Sequence, residues 1–122
     1  MNKMQALNTF WNSFTLPAYD ENTVPDTAVL PYITYSAGED DFNRPVSLRA
    51  SLWYRSNKWD EITSKMNEIS EYISRGGRLV KYDGGAIWIT KGSPFAQRMN
   101  DPEDDSIRRI FMNIEAEFIS YL

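Results

Sequence analysis

The period of the hydrophobic pattern changes in the middle of this chain, and that change constrains the fold more than any other feature. Apolar and polar side chains alternate from Val46 to Tyr54, the pattern of a strand with one buried face. Apolar residues then recur at steps of three and four over a helix predicted at 57–74, at Trp59, Ile62, Met66, Ile69 and Ile73. A one-faced strand followed by a one-faced helix predicts a sheet with a helix packed across it.

The other segments extend this prediction to an α+β fold with a mostly antiparallel sheet of about five strands. Apolar side chains three or four apart predict a short N-terminal helix over about residues 2–14, and an extended connection follows over 17–30. Asp83-Gly84-Gly85 predicts a tight turn between two short strands. The predicted strands cover 31–36, which pairs as a hairpin with 45–55, then 78–82, 86–91 and a long last segment that includes 110–118.

Local signals place the ends of the central helix and two loops. Ser56 or Asn57 is the predicted N-cap, and Gly76-Gly77 ends the helix. The polar segments 37–43 and 92–105 show no hydrophobic period, so both are expected to be exposed loops. The predicted partners of the helix stripe in the sheet are Leu48, Leu52, Ile110, Met112 and Ile114.

The composition excludes several classes of chemistry. The 122 residues include no Cys and no His, which removes thiol catalysis, disulfides, thiolate zinc sites and Ser-His-Asp triads. With 42% hydrophobic residues, the chain is expected to form a single domain over 1–122. We therefore expect no enzyme activity, no cofactor and no metal. The short apolar runs and the absence of a signal-peptide core predict no membrane partner and a location in the cytoplasm of the cell that makes the protein.

Charge is unevenly distributed along the sequence. Residues 1–43 hold one base and six acids, residues 44–98 ten bases and five acids, and residues 99–122 two bases and six acids. A basic middle segment between acidic flanks suits contacts between copies of one protein. Ordinary differences in composition between loops and strands produce the same pattern, and the sequence does not separate the two explanations.

Two carboxylate clusters are candidates for binding Ca²⁺, a cation that takes oxygen ligands. They are Glu39, Asp40 and Asp41, and Asp101, Glu103, Asp104 and Asp105. The second cluster lacks the central Gly and the final Glu of an EF-hand loop, which favours a solvated loop. Glu115 and Glu117 share one strand face, which suits either an acid/base pair or plain exposure to solvent.

Aromatic side chains near basic ones suggest a second kind of site. Trp53, Trp88 and Tyr82 near Arg49 and Lys81 suit the stacking of nucleobases. The net charge of −4 argues against tight nucleic-acid binding, because such affinity comes largely from neutralising phosphates.

Several local strings, taken with the order of elements, point to a family. The strings are Trp11, Val24-Pro25 and the run Leu30-Pro31-Tyr32-Ile33-Thr34-Tyr35, followed by the strand, the central helix, Gly76-Gly77, the hairpin and the long last strand. In length and in this order the chain resembles the tail terminator proteins of long-tailed bacteriophages, also called tail completion or head–tail joining proteins. The resemblance covers nearly the whole chain and rests mainly on the length and the order of elements.

The resemblance implies a structural role in a virion tail or neck. Such proteins form a ring, usually of six copies, at the head-proximal end of the tail tube; the ring ends tube growth and joins the tail to the head connector. The implied partners are further copies of the chain, the tail tube protein, a head completion or connector protein, and double-stranded DNA that passes without sequence recognition. Assembly would take place in the host cytoplasm. The family has no catalytic residues to carry over.

Charged segments are the candidate subunit-interface or channel residues under this resemblance. They are Glu39, Asp40, Asp41, Asp101, Glu103, Asp104, Asp105, Arg108 and Arg109. Two other functions stay open at this point. One is a small nucleic-acid or ligand binding module that uses the basic middle segment, and the other is a small enzyme that uses carboxylates alone.

Overall fold

A computed structural model of the chain describes residues 1–37, 45–100 and 104–120. In this part of the chain, six strands form one sheet and two helices accompany it. The helices are α1 (Lys3–Asn12) and α2 (Asp60–Ile73), and the strands are β1 (Ala18–Asp20), β2 (Tyr32–Tyr35), β3 (Val46–Arg55), β4 (Arg78–Tyr82), β5 (Gly85–Asn100) and β6 (Ile107–Ser120). The order across the sheet is β1-β2-β3-β6-β5-β4.

The core lies between the two helices and one face of the sheet, here called the helix face. The central pair β3 and β6 runs antiparallel from Val46 opposite Ala116 to Arg55 opposite Ile107. On α2, Ile62, Ile69 and Ile73 are fully buried, which confirms the predicted stripe, whereas Trp59 and Met66 are partly buried at its edge. The predicted partners of the stripe in the sheet are all buried: Leu48, Leu52, Ile110, Met112 and Ile114.

Helix α1 packs beside α2 through a cluster of aromatic rings. The ring of Phe14 lies 5.2 Å from that of Tyr72, edge to face, and the ring of Phe10 lies 6.1 Å from the same tyrosine. The Lys65 ammonium donates to the Phe14 carbonyl at 2.9 Å, which ties the end of α1 to the middle of α2. Both helices therefore cover the helix face, and the opposite face of the sheet, here called the open face, carries neither.

The sheet differs from the prediction of about five mostly antiparallel strands in its number of strands and in one parallel pairing. Its six strands, counted over the described residues, include β1 inside the predicted extended connection 17–30. Strand β1 pairs in parallel with β2, with Ala18 opposite Ile33, so the sheet is mixed, and its other four pairings are antiparallel. A three-residue strand has no period of its own, and this one exists only because β2 offers it a free edge.

The predicted exposed loop 92–105 is largely a strand. Strand β5 continues to Asn100, and its pairing with β6 is irregular between Lys91 and Ala96 before it resumes with Ala96 opposite Met112. The irregularity absorbs Gly92, Ser93 and Pro94, which would otherwise stop the strand. Residues 101–103 of the predicted loop lie outside the described residues, as do residues 38–44, which include most of the other predicted loop.

The helix ends follow capping chemistry only in part. Asn2 caps α1 and forms a capping box with Gln5, so this helix begins one residue later than predicted and ends two residues earlier. Helix α2 begins at Asp60, and Trp59 in the capping position makes no side-chain cap. The predicted caps Ser56 and Asn57 are therefore wrong: the Ser56 hydroxyl instead accepts a hydrogen bond from the Lys58 amide at 3.0 Å. Neither α1 nor α2 is long and apolar enough to cross a membrane.

Candidate assembly surface

A row of large side chains crosses four strands on the open face near one end of the sheet. The pairing places Met99 of β5 opposite Arg109 of β6, Arg109 opposite Trp53 of β3, and Trp53 opposite Tyr32 of β2. We call these four residues the aromatic–arginine row. Tyr, Trp, Met and Arg are the residue types enriched at the cores of protein–protein interfaces.

Contacts within the open face hold the Arg109 side chain against the sheet. The Arg109 guanidinium lies 4.6 Å from the Trp53 ring, a distance typical of a cation–π contact. Its Nε donates to the Ser51 hydroxyl at 3.1 Å, and Trp53 Nε1 donates to the Thr34 hydroxyl at 2.9 Å. These bonds give hydrogen-bond partners to the hydroxyl groups of Ser51 and Thr34, two residues that are only 3% and 9% exposed. Arg109 and Trp53 are thus held in a fixed arrangement before any partner binds.

An exposed recess lies next to this row. It is lined by Ala28, Val29, Leu30, Tyr32, Arg55 and Ile107, so Tyr32 belongs to both features. Val29 is 77% exposed, the highest value among the large apolar side chains of the described residues. The open face therefore presents apolar area and a fixed positive charge side by side.

Arg108, the other arginine of the predicted pair, lies on the helix face. Its guanidinium lies 5.4 Å from the Trp59 ring, and Arg98 lies 4.8 Å from the same ring. Arg108 Nη2 donates to the Asn57 carbonyl at 3.1 Å, and its Nη1 donates to the Asp105 carbonyl. Arg108 therefore fixes the turn before α2 to the start of β6, while the Asp105 side chain remains exposed.

Asp104 is bound within its own chain. Its Oδ1 accepts hydrogen bonds from the Ser106 amide at 2.8 Å and from the Ser106 hydroxyl at 2.6 Å, and Arg55 Nη1 lies 3.5 Å from its Oδ2. These hydrogen bonds from Ser106, helped by the charge of Arg55, lower the pKa of Asp104 below its ordinary value. The carboxylate therefore organises the turn that leads into β6.

The remaining candidates of the predicted interface lie outside the described residues. These are Glu39, Asp40, Asp41, Asp101 and Glu103. Their assignment to a subunit interface or channel stays a prediction. Within the described residues, no group of three or more carboxylates is placed to hold a metal ion.

The other candidate chemical groups are dispersed over the sheet, and Tyr82 packs against the core on the helix face. Glu115 and Glu117 are exposed on the open face near the end of the sheet away from the aromatic–arginine row, and there Glu117 lies opposite Trp88 of β5. Trp88 lies opposite Glu117 of β6 and Trp53 lies opposite Arg109 of the same strand, so the two tryptophans are several residues apart along the sheet. Arg49 is bound to Glu21, and its Nε lies 3.3 Å from Glu21 Oε2. The predicted nucleobase-stacking group does not converge on one place.

An acidic stripe lies on the solvent side of α2, on the opposite side of the molecule from the open face. Asp60, Glu61, Glu68 and Glu71 are exposed there, and among them only Glu68 forms an ion pair within the described residues, with Lys65 at 3.0 Å. Four of the five acids in the basic middle segment are thus gathered on one helix. Burial raises the pKa of Tyr54 beneath the stripe, and the negative charges of Glu61 and Glu68 raise it further.

The aromatic–arginine row as a whole has no signature in the sequence. Its members lie in four strands and meet only because the register aligns them. Alternation in β6 does place Arg109 and Phe111 on the face opposite Ile110 and Met112, and that was the available signal.

Comparisons with known proteins give a fold relationship. No family model matches the chain, and no curated protein matches it. Among solved structures, a chain of the "Virion of native gene transfer agent (GTA) particle" is similar, with a TM-score of 0.53 and 18% sequence identity. The alignment covers 92% of this chain and 83% of that chain. At this identity the likeness shows that the two chains share a fold.

Proposed function

We propose that this chain is a structural subunit of a phage-type virion and acts as a tail terminator. In this role, six copies close into a ring on the head-proximal end of the tail tube. The ring ends tube growth and joins the tail to the head connector. The observation that carries the proposal is the shared fold with a virion chain over 92% of this chain, which agrees with the family resemblance of the sequence.

The open face suits a subunit that works through contacts with other proteins. It carries a fixed arginine, two aromatic side chains and Met99, with Val29 exposed beside them. Groups of this kind supply binding energy at interfaces because large rigid side chains lose little entropy when they are covered. Double-stranded DNA would pass through the channel of the ring, and acidic side chains on the channel wall would repel its phosphates.

The proposal is tested by adding the purified chain to tail tubes assembled from the tube protein of the same genome. We expect electron micrographs to show a ring at one end of each tube, and tubes that stop lengthening as the chain is added. Tubes mixed with an unrelated acidic domain of similar size are the control. A chain that stays monomeric on tubes, at low salt and high concentration, would overturn the terminator function.

A second candidate function is a small nucleic-acid or ligand binding module. The observation that favours it is the combination of Arg109 with Trp53 and Phe111 on an exposed sheet face. Fluorescence anisotropy with a labelled single-stranded oligonucleotide at low salt distinguishes the two functions. A terminator should show weak binding that disappears as salt rises, whereas a binding module should show saturable binding that Trp53→Ala abolishes.

A further inference from the structure

Two surfaces of opposite character lie on opposite sides of this molecule. The aromatic–arginine row lies on the open face, and the acidic stripe lies on α2, which covers the helix face. The thickness of the sheet and the helix layer separates them. This placement limits the kinds of contact that copies of the chain make with one another.

Arg109 supplies an uncompensated positive charge on the open face. Its partners within the described residues are the Ser51 hydroxyl and the rings of Trp53 and Phe111, and none of them is a carboxylate. The neighbouring arginines differ, because Arg49 pairs with Glu21 and Arg55 lies 3.5 Å from Asp104. The row therefore combines an arginine that has no carboxylate partner among the described residues with large apolar side chains, which suits a carboxylate from another molecule.

The acidic stripe supplies the complementary charge. Asp60, Glu61 and Glu71 form no ion pair with any other described residue, so three exposed carboxylates repel one another along α2. A shallow recess lined by Tyr54, Asp60, Glu61, Ser64, Lys65 and Glu68 adjoins them. A positive side chain from another molecule would relieve this repulsion.

A two-fold dimer cannot bring the row of one copy onto the stripe of the other, because the two surfaces lie on opposite sides of each subunit. A two-fold contact uses the same patch on both copies, whereas a row that meets a stripe is a contact between unlike patches. Repetition of such a contact leads from one copy to the next and closes as a ring or continues as a filament. A contact between unlike patches is therefore compatible with a ring subunit.

From this geometry we infer that the aromatic–arginine row of one copy docks on the acidic α2 stripe of the next copy, and that this contact is the seam of the ring. The inference rests on the proposed function, and it adds the identity of the two surfaces. Trp53 and Tyr32 provide the apolar centre of the seam, and Arg109 faces the carboxylates. Because the charges lie at an exposed boundary, the seam weakens as salt rises.

The test is a charge exchange in the full-length chain, followed by sedimentation velocity and by the tail-tube assay. Arg109→Glu should raise the concentration needed for assembly by about tenfold or more, a change expected for truncation of a close interfacial charge. Combining Arg109→Glu with Glu61→Arg and Glu71→Arg in one chain should restore assembly, because every seam then carries the reversed pair. Lys81→Glu, an exposed charge reversal on β4, is the matched control and should assemble as the wild type does.

The outcomes separate the seam from the function. If the wild type caps tubes and Arg109→Glu caps them equally well, the inferred seam is wrong while the terminator function stands. Rescue by Glu117→Arg in place of the α2 reversals would show open faces packed against each other in a two-fold dimer, which also overturns the seam. If the wild type neither assembles nor binds tubes, both proposals fail.

A second variant is available if Arg109→Glu unfolds. Met99→Glu places a negative charge in the same row at a side chain that is 37% exposed, and the same loss of assembly is expected.

Discussion

Arg108 and Arg109 are adjacent in β6, yet each lies over a different tryptophan on a different face of the sheet. Arg108 lies 5.4 Å from the ring of Trp59 on the helix face, and Arg109 lies 4.6 Å from the ring of Trp53 on the open face. Simultaneous reversal of both charges would therefore mix two effects. The two arginines need separate variants.

We expect Arg108→Ala to lower the free energy of unfolding by roughly 1–3 kcal/mol. The variant removes a charged donor to the Asn57 carbonyl and one of the cations stacked on Trp59. Urea unfolding followed by tryptophan fluorescence measures the change. Arg75→Ala, at an exposed position just beyond α2, is the control and should stay within about 0.5 kcal/mol of the wild type. Equal stability of the two variants would show that Arg108 has no structural role.

The helix stripe gives a second stability prediction. Ile69 is 0% exposed between α2 and the sheet, so Ile69→Ala should cost roughly 2–5 kcal/mol through lost burial and a residual cavity. Asn67→Ala on the solvent side of the same helix should cost less than about 0.5 kcal/mol. Denaturant unfolding of both variants measures the two changes in the free energy of unfolding, and its dependence on denaturant concentration should be the same as in the wild type. A small effect at Ile69 would contradict the burial of the stripe.

The pair Gly76 and Gly77 offers a matched backbone test. Gly77 has a φ of +87°, and a Cβ there would lie 2.7 Å from the Ile89 carbonyl oxygen, whereas a Cβ on Gly76 would meet nothing within 4 Å. Gly77→Ala should therefore lose more than about 1 kcal/mol, the cost of a left-handed backbone alone, and Gly76→Ala should be close to neutral. Thermal unfolding by circular dichroism ranks the two. Equal melting temperatures of the two variants would contradict the backbone conformation described at Gly77.

These predictions rest on features that differ in how far the sequence reveals them. The buried stripe of α2 and the alternation of β6 are local periods, so the sequence alone predicts both. Strand β1 and the second half of β5 depend on partners far along the chain, and nothing in 18–20 or 92–100 marks them as strands. The same limit applies to the candidate seam. The acids of the stripe are close in sequence and lie within the predicted helix, whereas the aromatic–arginine row is assembled from four strands by their register.

The acidic candidates give a prediction about assembly. Neutralising Asp101, Glu103 and Asp105 together should leave the fold intact and alter ring formation or DNA passage, if these charges line a seam or channel. Asp104 is treated separately, because its hydrogen bonds from Ser106 shape the turn into β6. Asp104→Asn is the comparison variant, and its effect should appear in unfolding rather than in assembly. Normal tails, head joining and DNA delivery with the three charges removed would eliminate their proposed role.

Tyr54 predicts how stability depends on pH at the alkaline end. Its pKa is raised above the ordinary value of 10.0, because burial and then the carboxylates of Glu61 and Glu68 disfavour the phenolate. The folded state therefore holds this proton more tightly than the unfolded state. The stability that depends on this proton is fully present below pH 10.0 and is lost as the pH rises through the folded pKa.

Tyr54→Phe should flatten the loss of stability above pH 10.0 relative to the wild type, as measured by urea unfolding at a series of pH values. Glu61→Gln should reduce the same loss by a smaller amount, because it removes one of the two charges and leaves the burial unchanged. An identical alkaline profile for Tyr54→Phe and the wild type would show that Tyr54 does not lie buried beneath the acidic stripe.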